Sequence, residues 1–285
     1  MTTLDAPTPR SPLTREQVTA ALDRRGLSGQ VHVLPVCEST NATAAELVAG
    51  SWATGAVGTG DPPWLLVTAE EQTRGRGRLD RRWSAPAGSG LLFTLALAVP
   101  TGTPPSVTGW LPLLAGMAVV ATSREVGVAA TLKWPNDVVI GEEPRKLAGI
   151  LVERVGDWAL VGVGLNVDLT SGEAPVPAAT SLVVEGATAD LDRSTLLAAV
   201  VARIVSRWRH LLQSGSAHRS GLRDEYLENC STLGREIQVK RLGADDLRGK
   251  ASDIDADGHL VVVGAQTGSK VRVTVGDVEH LRSTG

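Results

Sequence analysis

Apolar positions recur along this chain at two periods, and the residues between them divide it into elements. "PLTREQVTAALDRRGL" carries apolar residues at helical spacing, with Thr14 as N-cap, Gln17 three residues later and Gly26 at the end. That pattern predicts one helix, standing nearly alone ahead of the core. "VHVLPV" reads as a short strand, and "ESTNATAAELVAG" as a capped helix closed by Gly50. "WLLVTAEEQ" and "GLLFTLALAV" are apolar runs bounded by loops, the pattern of buried strands. "VTGWLPLLAGMAVVATSREVG" predicts a long buried helix with Pro112 in its first turns. Three strands follow, "ATLKWPNDVVI", "RKLAGILVERV" and "WALVGVGLNV", the first two parted by the turn residues "GEEP". A looser stretch, "DLTSGEAPVPAAT", leads to helical "STLLAAVVARIVSRWRHLL" and "RSGLRDEYLENC".

After Cys230 the texture changes. "REIQVKR", "LRGKASDID", "HLVVVG" and "KVRVTV" are short strands with turn residues between them, the pattern of a small barrel of roughly fifty residues. The expected layout is therefore a start, 1–29, disordered to about Pro12 and then helical, a mixed α/β domain over 30–228 and a β tail over 229–285. "DIDADG" in the tail matches the opening of a calcium loop, but its twelfth position is Gly264 where a bidentate glutamate is needed, so it reads as a β-turn.

Composition narrows the function classes. The chain has 285 residues, 42% hydrophobic and 21% charged, with a net charge of −3, so it offers no broad cationic face to a polyanion. Any phosphate chemistry has to be local. Cys37 and Cys230 stand far apart outside any metal-binding spacing, which argues against a disulfide framework or a zinc site. No run has the length of a signal peptide or a membrane span, and the expectation is a cytoplasmic protein with no membrane contact.

Local cationic chemistry is found in "EEQTRGRGRLDRRW", residues 70–83, with five arginines and two glycines. Glycine lets a backbone approach a phosphate closely, and guanidinium forks grip phosphate or carboxylate oxygens in pairs. The stretch is neither a Walker loop nor a dinucleotide fingerprint, since Asp80 stands where a third glycine would be. It reads as an anion cradle, a solvated charged loop or a nucleic-acid contact, and its place between two core strands favours the first. A second cluster, "KWPNDVVIGEEPRKLAGILVE", sets Lys133, Asn136 and Asp137 at the end of one strand and Lys146 at the start of the next. A hairpin there gathers two cations and an amide-carboxylate pair, although each residue taken singly also suits an edge strand or a turn.

"ESTN", "EEQTRGRGRLDRRW", "KWPNDV", "RKLAGILVE" and "GVGLNV" occur in the order and approximate spacing of the biotin protein ligases, which the chain resembles directly over residues 36–170. It departs from that pattern at Leu79 and Asp80, where the family more often has basic or small residues. The resemblance implies an α+β fold, a mixed-sheet catalytic domain of the biotin/lipoate ligase type (class II synthetase-like) with a small C-terminal SH3-like β-barrel. It implies formation of biotinyl-5′-AMP from biotin and ATP, with Mg2+ carried by the nucleotide and no metal ligand assignable in the chain. Transfer of biotin to a lysine of biotin carboxyl carrier domains of acyl-CoA or pyruvate carboxylases would follow. By position, Ser39, Thr40, Asn41 and Gln72 fall where the family contacts biotin, and Arg76, Gly77 and Arg78 on the loop that closes over biotin and the adenylate. Lys146 falls on the lysine that meets the reacting carboxylate and phosphate oxygens, while Trp83, Asn136, Asp137 and Asn166 fall near the nucleotide. Lys146 and Arg78 are the residues expected to carry the chemistry. Family members that are also repressors need roughly sixty residues before the core for a winged helix, and only 38 precede Ser39. A ligase without specific DNA binding is expected, compatible with a homodimer. Lipoate protein ligase is the alternative enzyme, and a noncatalytic RNA-binding module the alternative of another class.

Overall fold

The structure is a computed structural model that describes residues 10–281 except 51–62, 171, 175, 190, 242–244 and 275. The expected disorder of residues 1–9 lies outside the described residues. In chain order the elements are α1 (Arg15–Asp23), β1 (Gln30–Cys37), α2 (Thr40–Gly50), β2 (Trp64–Gln72), β3 (Gly90–Ala98), α3 (Pro105–Thr108), α4 (Leu111–Glu125), β4 (Ala130–Lys133), β5 (Asp137–Ile140), β6 (Arg145–Val155), β7 (Trp158–Asn166), α5 (Arg193–Ser214) and α6 (Leu222–Asn229). Five short strands follow, β8 (Glu236–Lys240), β9 (Leu247–Ile254), β10 (Leu260–Gly264), β11 (Lys270–Val273) and β12 (Asp277–His280).

The first seven strands form one mixed sheet in the order β1-β2-β3-β7-β6-β5-β4, parallel between β1 and β2 and antiparallel elsewhere. Period-two alternation sorts their side chains onto two faces. Leu66, Leu91, Phe93, Leu95, Val161, Val163 and Leu165 join the large core with α1, α4 and α5. Leu65, Val67, Ala96, Ala98 and Leu160 instead form a small core with Ala44 and Val48 of α2. Both faces of the central strands are thus covered, which is why β3 is apolar and buried along its whole length. The segment 105–125 is long and apolar enough to cross a bilayer, but most of it is buried inside the fold, and its composition is that of a core helix.

Three expectations need correction. Helix α1 does not stand alone: its capping box forms as expected, and Val18, Ala21 and Leu22 are buried in the large core, with α1 packed on α5 and β1. The segment ahead of it is also engaged from Arg10 onward. Arg10 pairs with Asp168 at 3.2 Å and Glu173 at 2.8 Å, and this contact holds the Glu173 carboxyl down to about 2. The Leu13 amide donates to Glu70, which also pairs with the largely buried Arg193 at 2.9 Å. Second, "ATLKWPNDVVI" is not one strand but a hairpin, β4 and β5 in the register Lys133↔Asp137, turning through a cis Trp134-Pro135 bond. Pro135 has no N–H for a ladder, so the chain reverses there rather than extending. Third, the long helix breaks at Gly109 and Trp110 into α3 and α4.

The second sheet, β11-β10-β9-β8-β12, is antiparallel throughout. Its strand β12 was not foreseen, because "DVEH" is too short and polar to register as a strand. The "DIDADG" segment is a turn, as its chemistry indicated, with the Asp255 carboxylate accepting from the amides of Asp257 and His259. That turn packs on the first sheet's domain, where Trp110 Nε1 donates to the Ala256 carbonyl at 2.8 Å and Trp134 Nε1 to that of Gly258 at 3.0 Å.

Replacing Leu22, which is fully buried, by alanine should lower unfolding stability by about 2–5 kcal/mol, the cost of a cavity in a packed core. Equilibrium denaturation checks this, and a change below about 0.5 kcal/mol, usual for surface sites, would place α1 outside the cooperative core.

Candidate functional site

The sheet face that carries α2 runs on past the helix, and there its side chains shrink. On β7, Leu160 lies under α2, but the next two residues of that face are Gly162 and Gly164. On β6 their partners are Leu151 and Gly149. Small residues leave a cleft, floored by β6 and β7 and walled by the N-terminus of α2, the 73–83 loop, the β4–β5 turn and the start of β12. The indole of Trp83 lies on this floor: a Cβ added at Gly164 would sit 2.3 Å from it, and one at Gly149 3.0 Å. Its buried Nε1 has no hydrogen-bond partner among the described residues, which leaves an orphaned donor in the cleft.

One end of the cleft is neutral and densely hydrogen-bonded. Ser39, Thr40 and Asn41 are buried. The Gln72 side-chain oxygen accepts from the Thr40 amide at 2.8 Å and from its hydroxyl at 3.2 Å. Thr94, buried on β3, donates to Asn41 Oδ1 at 2.5 Å, and Asn41 Nδ2 donates to Glu153 at 2.6 Å. Each amide is thereby fixed in orientation by partners on other elements. Gly162 makes room for this set, since a Cβ there would meet Asn41 Oδ1 at 2.4 Å.

The other end is cationic. A bulge in the pairing of β5 with β6, where Val138 faces Ala148 but Val139 faces Lys146, leaves Leu147 as an extra residue. The bulge brings Lys146 onto the face of Gly149, with its Nζ 2.7 Å from Asp137 Oδ1 and 5.6 Å from the Trp83 ring centroid. Lys133, the last residue of β4, lines the same end.

The arginine loop spans the two ends as a small hairpin. Arg76 bridges Arg82, the Gly77 amide donates to the Arg81 carbonyl at 2.7 Å, and the tip holds Leu79 and Asp80 at φ values of 54° and 56°. Left-handed backbone is costly for leucine, so tertiary contacts must hold the tip. Arg76 pairs with Glu153 at 3.0 Å. Arg78 donates to Asn136 Oδ1 at 3.1 Å and to the Gly276 carbonyl at 3.3 Å. Its burial pushes the guanidinium pKa down, and the charges of Asp137 and Asp277 pull it back up. Arg81 pairs with Asp277.

Of the expected site residues, Ser39, Thr40, Asn41, Gln72, Arg76, Gly77, Arg78, Trp83, Asn136, Asp137 and Lys146 all line this cleft, and Asn166 does not. At the end of β7 the Asn166 amide donates to the Thr180 carbonyl at 2.8 Å, holding a segment that pairs with the Lys146 backbone. Sequence reasoning missed Thr94, Glu153, Gly162, Gly164 and Asp277. Glu153 and the two glycines stood inside quoted motifs without a role, whereas nothing in the sequence connects Asp277 to the loop.

Two family models match parts of the chain: the Biotin/lipoate A/B protein ligase family over residues 60–169, and the Biotin protein ligase C terminal domain over residues 232–281. The chain is 38% identical to the biotin--[acetyl-CoA-carboxylase] ligase of Mycobacterium tuberculosis, over 94% of this chain and 99% of that protein. It is 30% identical to the bifunctional ligase/repressor BirA of Escherichia coli, over 90% of this chain and 75% of that protein. Among solved structures, the biotin protein ligase from Aquifex aeolicus in complex with biotin and ATP aligns with a TM-score of 0.69 at 25% identity, over 89% of this chain and 99% of that one.

Gly164→Ala should displace the Trp83 indole, because its Cβ would lie 2.3 Å from the ring. The Trp83 indole N–H, buried in the native chain, should then exchange with solvent faster in NMR spectra. An unchanged exchange rate would mean that the floor yields instead of the ring.

Proposed function

Since the chain belongs to the biotin protein ligase family, we propose that its cleft joins biotin to AMP and passes the biotinyl group to a lysine of a biotin carboxyl carrier domain. The observation that carries this reading is the division of one cleft into a neutral end, built from Ser39, Thr40, Asn41 and Gln72, and a cationic end, built from Arg78, Lys133 and Lys146. A ureido ring needs fixed neutral donors and acceptors, which the first end holds in place. A carboxylate and a triphosphate repel each other, and the second end offsets that repulsion.

In the first half-reaction a biotin carboxylate oxygen bonds to the α-phosphorus of ATP, and the bond to pyrophosphate breaks. In the second, the acceptor amine bonds to the acyl carbon, AMP leaves with the bonding electron pair, and the amine loses a proton. Lys146 is assigned to the oxygens that gain charge in both steps. Asp137 holds its ammonium in position at 2.7 Å before any substrate arrives, so little reorganisation is needed at the moment of reaction. Arg78 and Asn136 bound the same end, and Trp83 offers the nucleotide an aromatic neighbour. Asn166 acts one step removed, through the segment that pairs with the Lys146 backbone. Magnesium would enter with the ATP phosphates.

The reading extends to the carboxylases of acyl-CoA or pyruvate as owners of the acceptor domain, to a cytoplasmic location and to the absence of specific DNA binding. The last is supported by α1, which buries its apolar face in the core instead of presenting a separate DNA-reading unit. The loop arginines argue against an RNA module, since Arg76, Arg78 and Arg81 are each taken up by partners within the protein.

Incubation with ATP and either biotin or lipoate, followed by pyrophosphate assay and then by label transfer to an acceptor domain, tests the reading. Pyrophosphate release with lipoate but not biotin would replace it with the lipoate reading. Lys146→Ala should melt like the wild-type protein and lose at least a hundredfold in adenylate formation, the equivalent of about 3 kcal/mol of transition-state stabilisation. Wild-type turnover in that variant would remove Lys146 from the chemistry.

A further inference from the structure

Five arginines in residues 70–83 bring charge to a loop whose tip holds two non-glycine residues at positive φ. Such a tip keeps its shape only where its surroundings fix it. At its base, Arg76 is fixed by Glu153 of β6. At the tip, Arg78 and Arg81 both reach the C-terminal sheet, Arg78 through the Gly276 carbonyl at 3.3 Å and Arg81 through the Asp277 carboxylate. Arg78 is the more demanding of the two. Its hydrogen-bond acceptors, Asn136 Oδ1 and the Gly276 carbonyl, are neutral, and a half-buried guanidinium needs a negative charge nearby. The carboxylates that act on it are Asp137 and Asp277. Asp137 is already committed to Lys146 at 2.7 Å. Asp277 lines the cleft, pairs with Arg81 and follows directly on Gly276, whose carbonyl accepts from Arg78.

We propose that Asp277, at the start of β12, is a positioning residue that latches the arginine loop over the cleft, so that the C-terminal sheet determines how long the adenylate is retained. Asp277 acts through Arg81 and Arg78 rather than on the reacting atoms. The Arg81 side chain is 62% exposed and that of Asp277 27%, so the pair alone is a weak, salt-sensitive tie. A weak tie suits a loop that must open for each acceptor domain.

The inference rests on the proposed ligase reading, and its test has one arm that does not. In the ligand-free chain, limited trypsin digestion with mass spectrometry measures cleavage after Arg78, Arg81 and Arg82. Asp277→Asn keeps the shape and removes the charge, and Asp277→Glu keeps the charge. Cleavage within the loop should be about fivefold faster in the Asn variant, the upper end for an exposed ion pair, and near wild type in the Glu variant. Arg81→Gln removes the same tie from the loop side, and its cleavage after Arg78 and Arg82, the sites that remain, should match that of Asp277→Asn. In the second arm, biotinyl-AMP made in place should be lost through gel filtration about fivefold faster from Asp277→Asn than from wild type, with retention restored in Asp277→Glu. Both Asn and Glu variants should melt with the wild-type protein. Cleavage and retention in Asp277→Asn equal to wild type, or failure of Asp277→Glu to restore them, would overturn the latch. A faster loop cleavage in Asp277→Asn, with no adenylate formed by the wild-type chain, would keep the latch and overturn the ligase reading.

Discussion

Strand β6 carries one residue more than β5 between the partners of Val138 and Val139, and this bulge turns Lys146 onto the cleft face beside Gly149. Under regular pairing, period-two alternation would have sent residue 146 to the opposite face. The close approach of Lys146 to Asp137 and the position of its ammonium over the Trp83 ring depend on that local shift. A bulge serves better here than a flexible loop, because β5 on one side and the 178–180 segment on the other hold the Lys146 backbone in place.

Cations gathered in one cleft repel each other until an anionic substrate arrives, and the net charge of −3 offers no general relief. The structure moderates this by pairing four of them: Lys146 with Asp137, Arg76 with Glu153, Arg81 with Asp277, and Arg78 with carbonyl oxygens under the influence of two carboxylates. These partners are all on different elements from the cations they hold, so the charges stay spread along the cleft. The glycine floor is the complementary device. Gly149, Gly162 and Gly164 give Trp83 and Asn41 the depth that any side chain would have filled.

How far the sequence reveals this depends on the range of the interaction. Strands β2, β3 and β7 are legible because both faces are covered where they carry long, mostly apolar runs, "WLLVTA", "GLLFTLALA" and "WALVGVGL". The β4–β5 hairpin was hidden because the short apolar runs "ATL" and "VVI" on either side of "KWPND" suit one strand as well as two, and the missing N–H of Pro135 decided the matter. The docking of α1 depends on residues of α5 nearly two hundred positions away, beyond any local pattern. The lining of the cleft was legible through the resemblance, since eleven of the twelve residues it implies line it. Asn166 was not, because its amide could equally reach a ligand or the Thr180 carbonyl, and only the folded chain shows the second. The partner of Arg81 lies 196 residues away, and a lone aspartate before "VEH" carries no local mark of it.

The C-terminal sheet looks separate in sequence, yet its orientation is set by two tryptophans of the first domain. Trp110, at the break before α4, and Trp134, in the β4–β5 turn, both donate to carbonyls of the 255–258 turn. The Trp134 contact comes from the same hairpin that supplies Lys133, Asn136 and Asp137 to the cleft. Any tilt of the second sheet therefore strains the hairpin at one end and shifts β12 at the other. Among the described residues β12 is an edge strand paired with β8, and its first residue, Asp277, with the preceding Gly276, meets the loop arginines. The indole contacts thus do more than bury a turn: they hold the start of β12 within reach of a loop that is far from it in sequence.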